Sequence, residues 1–248
     1  MPNILILGGT TEASLLATAC ASAGLSATLS YAGRVARPRQ QPVPTRTGGF
    51  GGTEGLVRYL SDHAITHLVD ATHPFAARMS RHAVDAAKTT GTPLIALQRP
   101  EWHSGPGDRW THVADVAGAV QALAGPPRRV FLAIGRVHLA EFASQPQHHY
   151  LLRLVDPPDG LLPLPNTTIV IARGPFTETG DLALLQTHGI ETVVAKNAGG
   201  SGADAKLSAA RMLKLPVVLI DRPDLPDRLV TASIEAVIDW LHQTDLGV

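Results

Sequence analysis

Short apolar runs alternate with alanine-rich stretches of helical length along most of the chain, and few folds can absorb that pattern. In the first half the apolar runs are Ile4–Leu7, Ser26–Tyr31, Pro42–Thr47, His67–Ala71 and Pro93–Leu97. Between them, Thr11–Ala23, Gly55–Asp62 and Ala76–Thr90 read as helices. Gly24 and Gly91 follow two of these helices, where a left-handed residue ends a helix most cheaply. An apolar run without polar alternation belongs to a strand covered on both faces. Strands of that kind separated by helices build a parallel sheet.

The second half repeats the pattern. Arg99–Asp108 is rich in Pro, Gly and Trp and reads as a loop, followed by a helix over Val113–Leu123. Gly125-Pro126-Pro127 then breaks the chain, which suggests a domain boundary there, with domains 1–127 and 128–248. Strands come next at Val130–Ile134, Tyr150–Val155, Thr168–Ala172, Thr192–Ala195 and Val217–Ile220, with helices Gly180–His188, Ala203–Lys214 and Ser233–His242. The reading is an α/β protein of two Rossmann-like domains, each with a parallel sheet, and a ligand cleft between them. Aromatics are only 4% of 248 residues, so Ala, Val, Leu and Ile must fill both cores.

Composition removes several functions. Lys+Arg and Asp+Glu are both 21, so no global charge favours nucleic acid or a membrane surface. A single cysteine, Cys20, excludes an internal disulfide framework and a cysteine-rich metal site. No apolar run is long enough to span a bilayer. Met1–Gly8 lacks the basic region of a signal peptide, so the expected location is the cytoplasm.

The most specific local signal is Ile4-Leu5-Ile6-Leu7-Gly8-Gly9-Thr10-Thr11, a buried strand that runs through two glycines into a helix. Glycine lets a phosphate approach the backbone, and the free N–H groups of a helix start favour an anion. Gly8, Gly9, Thr10 and Thr11 are therefore candidate dinucleotide ligands, the two hydroxyls as added donors. The G-x-G-x-x-G spacing is incomplete, because Ala13 stands where the third glycine falls. Glu12 would repel a pyrophosphate and reads as a partner of the helix dipole or loop backbone.

A dinucleotide site for NAD carries an acid about 20 residues past the glycines, on the ribose hydroxyl. Between Glu12 and Glu54 this chain has no Asp or Glu, but it has Arg34, Arg37, Arg39 and Arg46. Ser30 and Arg34, at the end of the second strand, suit a 2′-phosphate, so NADPH is expected over NADH. Arg37, Arg39 and Arg46 read as a solvated basic loop. Gly49, Phe50 and Gly51, in a run too glycine-dense for an ordinary connection, could hold a ribose or a flat ring; a flexible hinge is the equal alternative. Thr72 and His73 leave the fourth strand where a nicotinamide would sit, and His73 is a candidate proton source.

In the second half Val193–Lys196 leads into Asn197-Ala198-Gly199-Gly200-Ser201-Gly202 and then a helix. Lys196, Asn197, Gly199, Gly200 and Lys206 are candidate anion ligands, joined by Arg136 and Arg173 after two other strands. There is no P-loop, no Tyr-x-x-x-Lys pair, no G-x-S-x-G elbow and no His pair at metal spacing, so no metal is expected.

Taken in order, Leu5–Ala13, Gly48–Gly52, Asp70–Ala76, Arg99-Pro100-Glu101-Trp102 and Lys196–Gly200 resemble the precorrin-6A reductase (CobK/CbiJ-like) family over nearly the whole chain. Ala198 departs from the serine expected there. The resemblance implies NADPH-dependent reduction of one double bond of precorrin-6A, giving precorrin-6B, in cobalamin biosynthesis. It also implies a polycarboxylate tetrapyrrole held by the basic residues above, transient contact with neighbouring pathway enzymes, and some exchange of strands across the domain boundary. Two rivals are an NADP-binding sensor without turnover and an NADP-dependent oxidoreductase of a small carbonyl. The first leaves the Lys196–Gly202 loop unexplained, and the second lacks its Tyr/Lys pair.

Overall fold

The computed structural model describes residues 2–33, 40–158 and 160–245. The chain forms two compact units, Met1–Pro100 with Asp224–Val248, and Glu101–Pro223.

The first unit holds β1 (Asn3–Leu7), α1 (Thr11–Ser22), β2 (Ser26–Tyr31), β3 (Thr45–Thr47), α2 (Thr53–Asp62), β4 (His67–Asp70), α3 (Ala77–Thr90) and β5 (Leu94–Leu97). Their apolar runs are buried on both faces because successive side chains alternate. Ile4 and Ile6 join Leu16, Leu29, Val69 and Ile95 in one core. Leu5 and Leu7 join Leu56, Leu60, Leu68 and Ala83 in the other. A four-residue run thus anchors two helical layers, each fully buried Leu or Ile contributing about 1.5–3 kcal/mol.

The second unit holds β6 (Trp110–Val113), α4 (Val116–Ala122), β7 (Arg129–Ala133), a 3₁₀ helix (Leu139–Ser144), β8 (His149–Leu154), β9 (Thr167–Ile171), α5 (Glu178–Thr187), β10 (Thr192–Lys196), α6 (Ala205–Met212) and β11 (Val217–Ile220). Phe131, Leu151, Val193 and Leu219 meet Leu185 and Leu207 in its core. The chain then re-enters the first unit with β12 (Leu229–Thr231) and α7 (Ile234–Asp245).

The sheets run β12-β5-β4-β1-β2-β3 and β6-β11-β10-β7-β8-β9, six strands each. All recorded pairs are parallel, β12 on β5 and β6 on β11 included. Each is the doubly wound order in which the winding reverses across the sheet, at β1/β4 and at β7/β10.

The units correct the boundary read at residue 127: the crossings lie at Pro100/Glu101 and Pro223/Asp224. The sixth strand of each sheet comes from the other half of the sequence. β6 follows β5 yet completes the second sheet, and β12 follows β11 yet completes the first. A chain break at Gly-Pro-Pro marks a turn, not a boundary. β6 also lies where the sequence gives no strand, between the loop ending at Asp108 and the helix read from Val113; α4 begins only after Asp115, whose carboxylate accepts from the Gly118 N–H.

Candidate functional site

In the first unit the reversal point lies at the carboxyl ends of β1 and β4. Gly8 is required by packing: a Cβ there would sit 2.6 Å from Leu29 Cδ1 and 3.3 Å from Ala13 Cβ. Its absence lets α1 start tight against β2. Gly9 has φ +116°, and a Cβ on it would meet nothing within 4 Å. The space over this turn is open, and the first N–H groups of α1, at Thr11 and Glu12, have no intrahelical acceptors.

Thr10 caps α1, accepting from Ala13 N at 3.1 Å while donating to Ala71 O at 2.7 Å. Its hydroxyl, read from the sequence as a phosphate donor, here fastens the turn to the residue after β4. Thr11 is exposed in the first turn. Glu12 pairs with Arg99, at 3.0 Å, rather than with the dipole alone, so its charge is compensated beside the open turn.

Beyond β4, Asp70 is 1% exposed. Its Oδ1 accepts from Thr72 N at 3.2 Å and Thr72 Oγ1 at 2.7 Å, and Oδ2 is buried without a hydrogen-bond partner among the described residues. With its proton given to Asp70, the Thr72 oxygen can only accept from anything else. His73 is half-buried, and its Nδ1 accepts from Phe75 N at 3.2 Å. In that bond Nδ1 is the acceptor, as in the tautomer with the proton on Nε2.

At the end of β2, Ser30 is buried. Arg46, opposite it in register on β3, donates through Nη1 to Ser30 Oγ at 2.7 Å and Gly48 O at 3.0 Å, and through Nη2 to Gly49 O at 3.3 Å. Its guanidinium lies 3.9 Å from the centre of the Phe50 ring, which in turn sits edge-on to Tyr59. The 48–52 glycines thus wrap around a fixed cation instead of forming a hinge; Gly48, Gly51 and Gly52 take positive φ to do so. Arg34, Arg37 and Arg39 lie outside the described residues.

In the second unit the reversal point carries Gly135-Arg136 after β7 and the Asn197–Gly202 loop after β10. Asn197, read from the sequence as a substrate contact, is 1% exposed and braces the loop. Its Oδ1 accepts from Trp102 N at 2.9 Å, and its Nδ2 donates to Glu101 Oε2 and Trp102 O, both at 3.2 Å. Trp102 Nε1 donates to Gly200 O at 2.7 Å. Arg222, missed in the sequence, donates to the carbonyls of Asn197 and Ala198 at 3.1 and 3.2 Å.

Lys206, read from the sequence as a substrate contact, is buried, donates to Ala203 O, and lies 4.6 Å from the Trp102 ring centre. Arg136 and Arg173 are exposed and Lys196 is half-buried at the end of β10. Gly199 and Gly200 have φ +71° and +69°, and their N–H groups donate to nothing among the described residues. Successive amides in such a turn form a concavity suited to an oxyanion.

A family model described as precorrin-6x reductase CbiJ/CobK matches residues 3–242. The chain belongs to this family. The precorrin-6A reductase of Rhodobacter capsulatus is 59% identical over 97% of this chain and 96% of its own length. That of Rhodococcus erythropolis is 46% identical over 97% and 98%. A solved structure titled CobK precorrin-6A reductase superimposes with TM-score 0.95 at 59% identity, covering 98% of this chain and 97% of that one.

Within this CbiJ/CobK chain, the predicted residues fall on two carboxyl edges. Gly8, Gly9, Thr10, Thr11, Ser30, Gly49, Phe50, Gly51, Thr72 and His73 belong to the first unit. Arg136, Arg173, Lys196, Asn197, Gly199, Gly200 and Lys206 belong to the second. Among the described residues no helix is long and apolar enough to cross a membrane, and no three metal-ligating side chains gather.

Proposed function

We propose that this chain reduces precorrin-6A to precorrin-6B with NADPH. Membership of the family supports the substrate. The open, helix-backed turn at Gly9, on the reversal point of a doubly wound sheet, supports the cofactor site and is the observation that carries it. The residues fit the group: a bare turn and free α1 amides for the pyrophosphate, and a polar strand end at Ser30 for the ribose.

NADPH, when bound, supplies a hydride. The chain's own part is to hold, orient and keep dry. Thr72, locked as an acceptor by Asp70, suits the carboxamide N–H of a nicotinamide. His73, whose Nδ1 accepts from the Phe75 amide, presents Nε2 as its other ring nitrogen, and the proton comes from His73 or from solvent. In the second unit Arg136, Arg173, Lys196 and the Gly199 and Gly200 amides meet the acetates and propionates of the macrocycle. Asn197 and Lys206 hold that loop in shape.

The test is NADPH oxidation measured with and without precorrin-6A, with mass analysis of the tetrapyrrole. Substrate-dependent oxidation, with a product heavier by one hydride and one proton, is expected. Folded protein that leaves both compounds unchanged contradicts the assignment.

A further inference from the structure

We propose that Arg46 is the residue that selects NADPH over NADH, by gripping the 2′-phosphate; the inference rests on the dinucleotide reading of the first unit. Sequence position hides this role, because Arg46 stands 16 residues past Ser30 in a glycine-rich basic stretch. The parallel pairing of β2 with β3 sets the two side by side. That is the end of the second strand, where doubly wound sheets bind the ribose 2′ position.

Three features make this a built site. First, every hydrogen-bond partner of Arg46 is neutral: the Ser30 hydroxyl and the carbonyls of Gly48 and Gly49. Its charge is not cancelled, and no carboxylate lies between residues 12 and 54 to compete. Second, of its five N–H groups these bonds take three, leaving Nε–H and one on Nη2 without partners among the described residues. Two N–H groups of one planar guanidinium are what a phosphate accepts in the bidentate mode. Third, the group is already fixed. Three hydrogen bonds and stacking at 3.9 Å on Phe50, with Tyr59 at 5.1 Å, hold the plane, so little side-chain freedom is left to lose on binding. Arg46 is half-buried, close enough to the rim for a ligand to reach it.

NADP⁺ and NAD⁺ differ only in the phosphate at issue, so their affinities for the full-length chain, measured by titration calorimetry, isolate it. Wild type should favour NADP⁺. Arg46→Ala should lower NADP⁺ affinity roughly 10- to 100-fold more than it lowers NAD⁺ affinity, the effect of losing a hydrogen-bonded charge contact to the phosphate. Arg46→Lys keeps the charge without the fork and should fall between. It also decides the matter if the alanine variant loses its fold by circular dichroism. If wild type discriminates and Arg46→Lys and any folded Arg46→Ala keep the same NADP⁺/NAD⁺ ratio, the role of Arg46 is wrong while the dinucleotide site stands. If folded wild type binds neither nucleotide, the site itself is wrong and this inference falls with it.

Discussion

Replacing Asn197 by alanine separates a brace from a ligand. In the structure the side chain is buried and all three of its hydrogen bonds go to Glu101 and Trp102, about a hundred residues earlier in the chain. Truncation removes all three and strands the part-buried Trp102 N–H. An orphaned buried donor costs about 1–3 kcal/mol, and the half-exposed Glu101 carboxylate recovers water, so about 2–3 kcal/mol is expected for the site. For a chain of this size that lowers the melting temperature of the second unit by roughly 4–10 °C.

The assay is thermal unfolding monitored by circular dichroism, with tryptophan emission as a second probe. Trp102 is itself released from Gly200 and Lys206 when the loop loosens. Tetrapyrrole affinity should fall only in proportion to that loosening. Asn197→Asp sharpens the test. It keeps an acceptor for Trp102 N but sets a carboxylate against Glu101, so it should be destabilised near neutral pH and partly recover as pH falls and the new acid is protonated. An Asn197→Ala protein that melts like wild type while binding precorrin-6A far more weakly would refute the brace and restore Asn197 as a substrate contact.

Other outcomes rest on single distances. Gly8→Ala must displace Leu29 and Ala13 and should cost about 1–3 kcal/mol in denaturant unfolding; an unchanged midpoint would mean β2 yields freely there. Arg153 and Asp181 form a buried pair, the guanidinium stacked 3.5 Å from the Phe176 ring centre, so Asp181→Ala should cost about 3–5 kcal/mol, far more than an exposed pair would. Equal stability of variant and wild type would show that water reaches Arg153. Burial, then the nearby Arg129 and His188, hold the His149 imidazole below its ordinary pKa. The unfolded chain takes up that proton first, so the stability from His149 is full above the ordinary imidazole range and is lost as pH falls through it. His149→Gln, which can keep the bond to Thr168, should lose less stability than wild type between about pH 7 and pH 5; matching losses would remove His149 as the cause.

What the sequence reveals depends on how many neighbours a residue's role requires. Ile4–Leu7 is readable because a strand buried on both faces needs apolar side chains at every position. β6 and β12 are edge strands of four and three residues, half or more exposed, and their composition carries no such demand. Nothing local in Leu229-Val230-Thr231 says that it pairs with Ile95–Leu97, so composition alone leads to the boundary at 127. The same holds in the site. Gly9 is legible because its role is to carry no side chain. The packing of Asn197, in the loop after β10, and of Lys206, in the first turn of α6, is not legible, since their shared partner, Trp102, lies far away in sequence. Arg46 reads as a solvated residue because its environment is made by strand pairing.

The two sheets share a strand order, yet among the described residues α1 starts directly after the first sheet's β1 while no α-helix starts directly after β7, and this asymmetry supports the division of roles proposed above. After β1 the chain needs only Gly8, Gly9 and the capping Thr10 before α1 begins, so a twelve-residue helix aims its dipole at the turn. After β7 come Gly135 and Arg136 and then a six-residue 3₁₀ helix, too short to sum its peptide dipoles into a pyrophosphate site. The glycine-rich loop of the second sheet follows β10 instead, held by Trp102 and Arg222 and bordered by Lys196. Dispersed cations and bare amides suit carboxylates spread around a large ring better than one compact diphosphate. The same winding thus serves two anions of different shape, distinguished by which strand of the reversal carries the glycines and by whether a long helix begins directly after them.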